Sequence, residues 1–517
     1  MTTQPLGTPS EGAPFRMIAI LGPLIAIILG MFMAILDTTA VNVALPTLVT
    51  SFKSDIHSLQ WVITGYILAQ AAVIPLAGWL SDRFGAKRVF LTAITLFTIG
   101  SIMCATAQSV NMLIVFRILQ GLGGGFVMPV GMAYTYRLSP PDKRGAVMGA
   151  LGVPILLAPA LGPTVAGWLV QYADWRWIFL INVPIGIVAM FVGIRSLPAL
   201  GRQAVAGLDR AGIVLGPLAF AAISYGLNEG STSWTSVNTL GGLIGGAIVL
   251  LAFVWVELTR ENPLLELRVF KSRDFSLAIV TQWIAGVALF GGMFLIPLFL
   301  QSVRGYGAFD TGLVLIAQAG TAALFMPVGG RLFDLFGARP VVLAGLILVG
   351  VGSFFFTRLS GTTTGVDMIP ALVLRGAGMA LMMMPLNTHI LNSAPRNLVS
   401  RVTSLTQALQ SVINSFAITG LATILTSRAS YHAATAQLSA LQQHAKASGP
   451  AAGAAAHPSG LPLPIANLFA NAYGDAFVVM VVAAVIGIGL SFTLRRSPAV
   501  AGERIAPSQG AALEMAG

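Results

Sequence analysis

Charge is what this sequence has least of. Asp, Glu, Lys and Arg make up 9% of its 517 residues, against roughly 25% in a soluble domain. So few charges cannot cover a water-facing surface, and most of the surroundings must be lipid. Cysteine is nearly missing: Cys104 is the single one. That excludes an intrachain disulfide, and its place in an apolar run fits plain packing. The five histidines, His57, His389, His432, His444 and His457, are scattered with no metal-ligand spacing. A Gly-rich phosphate loop ending in Lys-Ser/Thr is missing too, which argues against ATP hydrolysis. A membrane-embedded enzyme remains only as the alternative of a different class.

Apolar residues are abundant, at 56% of the chain. A helix needs about 20 of them to cross the hydrocarbon. Fourteen runs meet that need: 17–38, 58–80, 89–107, 110–134, 145–171, 177–195, 211–227, 238–257, 275–301, 310–330, 340–357, 368–390, 402–427 and 474–494. The first is longer than the roughly 7–15 residues of a signal-peptide core and reads as a retained helix. The expected fold is an all-α integral membrane protein. The formal net charge of +11 lies in short alternate loops, such as Arg83-Lys87-Arg88, Arg137-Lys143-Arg144 and Arg331-Arg339. This is the positive-inside pattern and puts both termini in the cytoplasm, with no nucleic-acid partner implied. Residues 428–473 form a long loop on the outer side, either a flexible tether or an extracellular lid or docking surface, and its first part, Ser430 to Lys446, has no Gly or Pro and could be a helix.

The chain repeats itself. Gly78, Asp82 and Gly85, in the loop after the second run, recur as Gly330, Asp334 and Gly337 after the tenth, at a constant offset of 252 residues. Related halves are how many secondary transporters are built, with the substrate between them. Two six-helix halves would place the second copy after the eighth run, so two helices are inserted. The division is 1–200, an N-terminal half; 201–265, two linker helices; and 266–517, a C-terminal half.

Several stretches resemble one family. Gly78 to Arg88 resembles the loop signature of the major facilitator superfamily. Leu36-Asp37-Thr38-Thr39-Ala40-Val41-Asn42-Val43-Ala44-Leu45-Pro46 resembles the first-helix motif of its 14-helix drug:proton antiporter family. Arg117 with Gln120, Gly121 and Gly123 to Gly125, then Gly162-Pro163 with Gly167, then Trp175 to Gly186 resemble its fourth-, fifth- and sixth-helix motifs. The chain departs from that pattern at Ala158 and Ala166, and it has no acid in the embedded part of runs 10 and 13. The resemblance implies a bacterial cytoplasmic (inner) membrane protein that exports amphipathic small molecules in exchange for protons. It implies no cofactor beyond the proton gradient, and a periplasmic adaptor for some relatives. An exporter of an endogenous lipid or siderophore on the same scaffold is the alternative.

Physical chemistry assigns roles to particular residues. Asp37 is a carboxylate at the outer end of the first run, where charge is expensive and functional by default. Burial favours its neutral form and a nearby cation its charged form, which suits a group that binds and releases a proton. Arg117 lies at similar depth and is its expected partner in proton coupling. Gly78, Asp82, Arg83, Gly85, Arg88 and Asp142, with Asp334, Arg339 and Arg401, are the expected cytoplasmic gate, a cluster of charges that latches one state. Gly162, Pro163 and Gly167 form the antiporter motif, whose bend the resemblance connects with sealing the route. Thr403, Gln407, Gln410, Ser411 and Asn414 share one helical face, and such a polar stripe faces the bundle or a wet cavity. With Asn42, Tyr66, Gln120, Gln282, Trp283, Gln318 and Asn387, the amides of that stripe make up the expected substrate pathway, and Met382 to Met384 suit a promiscuous surface.

Overall fold

A computed structural model of the chain describes residues 18–54, 56–200, 210–230, 233–260, 263–395, 398–444 and 463–494. Its long elements are all α-helices. In chain order they are α1 (Ile18–Phe52), α2 (Ile56–Val73), α3 (Leu76–Phe84), α4 (Ala86–Ala105), α5 (Val110–Leu138), α6 (Arg144–Tyr172), α7 (Trp177–Leu180) and α8 (Asn182–Ser196). Then come α9 (Arg210–Gly230) and α10 (Val237–Thr259). The last six are α11 (Arg273–Ser302), α12 (Ala308–Phe336), α13 (Ala338–Phe356), α14 (Gly365–Asn392), α15 (Val399–His444) and α16 (Leu463–Ser491). Twelve spans among the described residues are long and apolar enough to cross a membrane, α7 and α8 together making one. The pair α2 and α3 adds a broken span with a 54° bend, and α9 holds a shorter apolar helix, Ala211–Leu227. This set is consistent with fourteen runs.

Local chemistry explains the breaks. Pro75 stands before α3 and lacks the N–H that would continue α2. Gly85 and Gly337 end α3 and α12 with φ of 90° and 79°, a region that favours glycine, so the repeat at offset 252 repeats a backbone turn. The Ser109, Ser236 and Ser272 hydroxyls cap α5, α10 and α11, and Thr364 forms a capping box with Asp367 on α14.

One expected boundary moves. The outer segment 428–473 is not a plain loop. α15 continues to His444 and α16 begins at Leu463, so only 445–462 between them lies outside the described residues. A polar sequence ends a membrane span but not the helix that carries it. Both chain termini, 1–17 and 495–517, also lie outside the described residues, and with them the expectation about their side.

The helices converge at the end carrying Asp82 and Asp334, called here the basic end. There a Cβ on Gly78 of α3 would lie 2.7 Å from the backbone of Ser400 and Arg401 in α15. At the opposite end α9 stands between α2 and α15. Tyr225 stacks on Trp61 with centroids 6.1 Å apart. The Thr419 hydroxyl donates to the Leu227 carbonyl at 2.9 Å, and the Trp234 indole donates to Thr423. α10 covers α9 on the perimeter, with Leu251 and Trp255 about 70% exposed toward what the hydropathy identifies as lipid.

Candidate functional site

Asp37 sits on α1 and is 1% exposed. Arg117 of α5, equally buried, donates to its Oδ2 at 2.6 Å. Gln120, one turn on, donates to its Oδ1 at 3.0 Å, and Asn182 at the start of α8 donates to the same oxygen at 2.9 Å. Ser101 of α4 accepts from both amides, at 2.6 and 3.1 Å. Arg117 also donates to the Gln120 side-chain oxygen Oε1 and to the Val62 backbone carbonyl, and its guanidinium lies 3.8 Å from the Tyr66 ring centroid. Side chains of α5 and α8 thus hold the carboxylate by charge-assisted bonds, which are shorter and stronger than neutral ones, and groups on α2 and α4 hold those donors, so the network spans five membrane helices with α1. Removing one partner of such a buried pair leaves an uncompensated charge, at a cost of about 3–5 kcal/mol.

The sequence reading brought Asp37 and Arg117 together, and the structure does the same. Gln120 and Tyr66, expected on the pathway, lie instead in this network. Asn182 and Ser101 were not singled out as site residues. The signal available for Asn182 was an amide in an apolar run at the depth of Asp37.

A cavity of about 240 Å³ lies among α1, α5, α6, α11, α14 and α15. Its polar lining is Gln282, Asn387, Thr406, Gln407, Gln410 and Asn414, and its apolar lining includes Met128, Met132, Met293, Met379 and Met382 to Met384. The Oε1 atoms of Gln282 and Gln410 are buried with no hydrogen-bond partner among the described residues, which leaves acceptors for a ligand to satisfy. Thioethers adapt to varied shapes. Of the other expected pathway residues, Gln318 is buried with its amide on the Met379 sulfur, and Trp283 packs into the core beside the cavity. The side chain of Asn42 falls outside the described residues. Ile35 lines the cavity while Asp37, two residues on, faces the ion-pair network. Residues two apart point to different sides of a helix, so α1 is the wall between them.

The basic end is held by contacts between the first six spans and the last six. Asp82, 1% exposed, pairs with Arg137 of α5 at 3.1 Å and with Arg401 of α15 at 3.7 Å. Asp334 of α12 accepts from the Gly145 and Ala146 N–H groups at 2.8 and 2.9 Å, where the start of α6 has unsatisfied donors. Asn392 of α14 accepts from Tyr136 and Arg144. The Asp82–Arg137 pair lies within the first repeat, but Arg401 and the Asp334 and Asn392 contacts cross between the repeats, so there is no separate cluster in each. Arg401 was grouped with Asp334 and pairs with Asp82. Arg83 and Arg88 are exposed, Arg83 lying beside Trp79, and Asp142 is exposed as well. Arg339 lies 5.2 Å from the Phe492 ring centroid.

Gly162 of α6 faces α1, where an added Cβ would meet the Thr39 hydroxyl. Gly167 is half-buried one turn on, and the Pro163 side chain falls outside the described residues. α1 thus carries Ile35 at the cavity, Asp37 in the network and Thr39 against α6. Among the described residues no cluster of His, Cys, Asp or Glu has the arrangement of a metal site.

Residues 27–202 and 195–418 match the family model of the Major Facilitator Superfamily. An uncharacterized MFS-type transporter of Bacillus subtilis, YhcA, is 37% identical over 410 residues, covering 79% of this chain and 77% of that protein. A multidrug resistance protein B homolog of Mycobacterium tuberculosis is 34% identical over 469 residues, covering 87% and 86%. Among solved structures, the proton:xylose symporter XylE bound to 6-bromo-6-deoxy-D-glucose superposes with a TM-score of 0.59 at 15% identity, covering 93% of this chain and 96% of that one. At that identity the likeness concerns the fold.

Proposed function

The chain belongs to the Major Facilitator Superfamily and is a multi-pass membrane transporter rather than an enzyme. On that premise we propose that it exports small amphipathic molecules across the bacterial cytoplasmic membrane in exchange for protons. The observation that carries this reading is Asp37, buried in a five-helix network one helix face away from a cavity of amides and thioethers. A similar protein bears the name multidrug resistance protein B homolog, which fits an adaptable cavity.

In this reading residues 1–200 and 266–517 are the two halves, and the basic end is cytoplasmic. The ion pairs and the α6 cap then latch the cytoplasmic side. When Asp37 takes a proton, Arg117 loses its counter-charge and keeps only Gln120, the Val62 carbonyl and the Tyr66 ring. The altered network tilts α1, which transmits the change to the cavity through Ile35 and to α6 through Thr39 and Gly162. Only an interaction that differs between the two states can shift their populations, and the Asp37 charge supplies that difference. The test is transport in proteoliposomes with an imposed pH gradient, screened over cationic, neutral, anionic and lipid-like compounds. Gradient-driven flux of at least one amphiphile is expected, and flux of none of them refutes the proposal.

A further inference from the structure

Arg375 of α14 has no part in the proton network or the latch, yet it is fully buried. Among the described residues no carboxylate lies within ion-pair reach of it. Its guanidinium donates to the Ser353 hydroxyl and to the Ala288 and Leu289 carbonyls, the last two at 3.0 and 3.4 Å.

The internal repeat explains how this charge came to stand alone. Gly100 packs on Gln120 as Gly352 packs on Arg375, and Gly123 packs on Ala93 and Phe97 as Gly378 packs on Gly345 and Val349. The Gln120 amide donates to Ser101 as Arg375 donates to Ser353. Arg375 therefore occupies the place of Gln120 in the second repeat. The offset of 252 that relates Gly100 to Gly352 carries Asp37 onto Leu289. The second repeat therefore has a cation where the first has an amide and, by that offset, a leucine where the first has its acid.

That cation stands just behind the cavity wall. Leu289, whose carbonyl it holds, lines the cavity, as do Gly286 and Met293 on the same helix and Met379 one turn along α14. Among the described residues no Asp, Glu, Lys or Arg lines the cavity itself. Amides can face a ligand of either sign, so the sign is set by formal charges nearby. With Asp37 ionised, the Asp37, Arg117 and Arg375 set sums to one positive charge, and to two when Asp37 is protonated.

We propose that the cavity takes amphiphiles with an anionic headgroup and disfavours cationic ones. Arg375 acts through its field rather than by contact and is a positioning charge for specificity. This rests on the reading of the chain as an exporter of amphiphiles. Across a low-dielectric wall at the ~10 Å scale, one unit charge changes affinity by about tenfold.

The test is equilibrium binding to purified full-length protein at pH 7.5 of three matched probes: 1-pyrenebutyrate, 1-pyrenebutanol and 1-pyrenebutylamine. The wild type should bind the carboxylate at least about tenfold more tightly than the ammonium. Arg375→Gln installs the residue that the first repeat holds at this place, and it should bring the ratio close to one. Ser353→Asp, at the hydroxyl that the guanidinium already holds and outside the cavity lining, supplies the missing counter-charge and should do the same, which keeps the test decisive should Arg375→Gln fail to fold. A wild type that prefers the ammonium, or a ratio unchanged in either folded variant, overturns the inference and leaves amphiphile export standing. Binding of none of the three probes overturns the amphiphile reading and this inference with it.

Discussion

Replacing Gly78 with Ala should unlatch the basic end without harming the helix that carries it. The new Cβ would lie 2.7 Å from the Arg401 Cα and the Ser400 carbonyl oxygen, where ordinary contact begins at 3.4 Å. Both neighbours are backbone, so α3 and α15 must separate by about 0.7 Å. Overpacking of this kind costs about 1–3 kcal/mol. The gain in helix propensity, about 1 kcal/mol, is common to both states and cancels. The strain falls only on the state in which α3 and α15 touch, so the equilibrium should shift away from it by about 5- to 150-fold, at 1.4 kcal/mol per decade. The assay places a cysteine at Met383, in the cavity wall, in a Cys104→Ala background. A membrane-impermeant maleimide is then applied to inside-out and right-side-out vesicles. Labelling from the cytoplasmic face should quicken at least about fivefold in Gly78→Ala. Gly245→Ala, where none of the described residues would lie within 4 Å of the new Cβ, should leave the rates alone. Unchanged rates in Gly78→Ala, with normal amounts of protein in the membrane, would refute the assignment of this contact to the latch.

Two further substitutions probe the other contacts. Asp334→Asn replaces one of the two oxygens that accept from Gly145 and Ala146 with a donor. An unsatisfied buried group costs about 1–3 kcal/mol, so cytoplasmic-face labelling at Met383→Cys should rise as for Gly78→Ala, and a fall would contradict the capping role. Asn182→Leu removes a donor from Asp37 Oδ1. A hydrogen bond to a charged group is worth about 1.5–3 kcal/mol, so gradient-driven transport should drop by about tenfold or more with protein levels unchanged. Full transport would remove Asn182 from the network.

How much of this was legible in the sequence depended on the kind of signal. Asp37 and Arg117 were each a lone charge in an apolar run at matching depth, and the cost of burying either alone required a partner. Gln407, Gln410 and Asn414 showed a helical face by spacing, and the cavity has that face in its wall. Tyr66 and Gln120 show where such reasoning stops. A polar residue in a single span reveals that it points inward, but not whether it meets the cavity or the helix beside it. The latch was half legible. Charge bias collected Asp82, Arg401 and Asp334 at one end, but pairing across the repeats depends on how helices distant in sequence pack. The extension of α15 to His444 was half legible, because Ser430 to Lys446 has no Gly or Pro and allows a helix, while hydropathy reports the membrane and not the continuity of that helix with its span. The position of α9 between α2 and α15 was illegible for the same reason as the latch, being a matter of tertiary contact alone.

The central claim is that the Asp37 carboxylate couples substrate export to proton entry. Asp37→Asn keeps the shape of the side chain and removes its titration. Purified wild type and Asp37→Asn in proteoliposomes, with substrate flux and proton movement recorded together under an imposed pH gradient, test the claim directly. Asp37→Asn should still bind substrate but show neither gradient-driven flux nor accompanying proton movement. Undiminished proton-coupled flux in Asp37→Asn would contradict it.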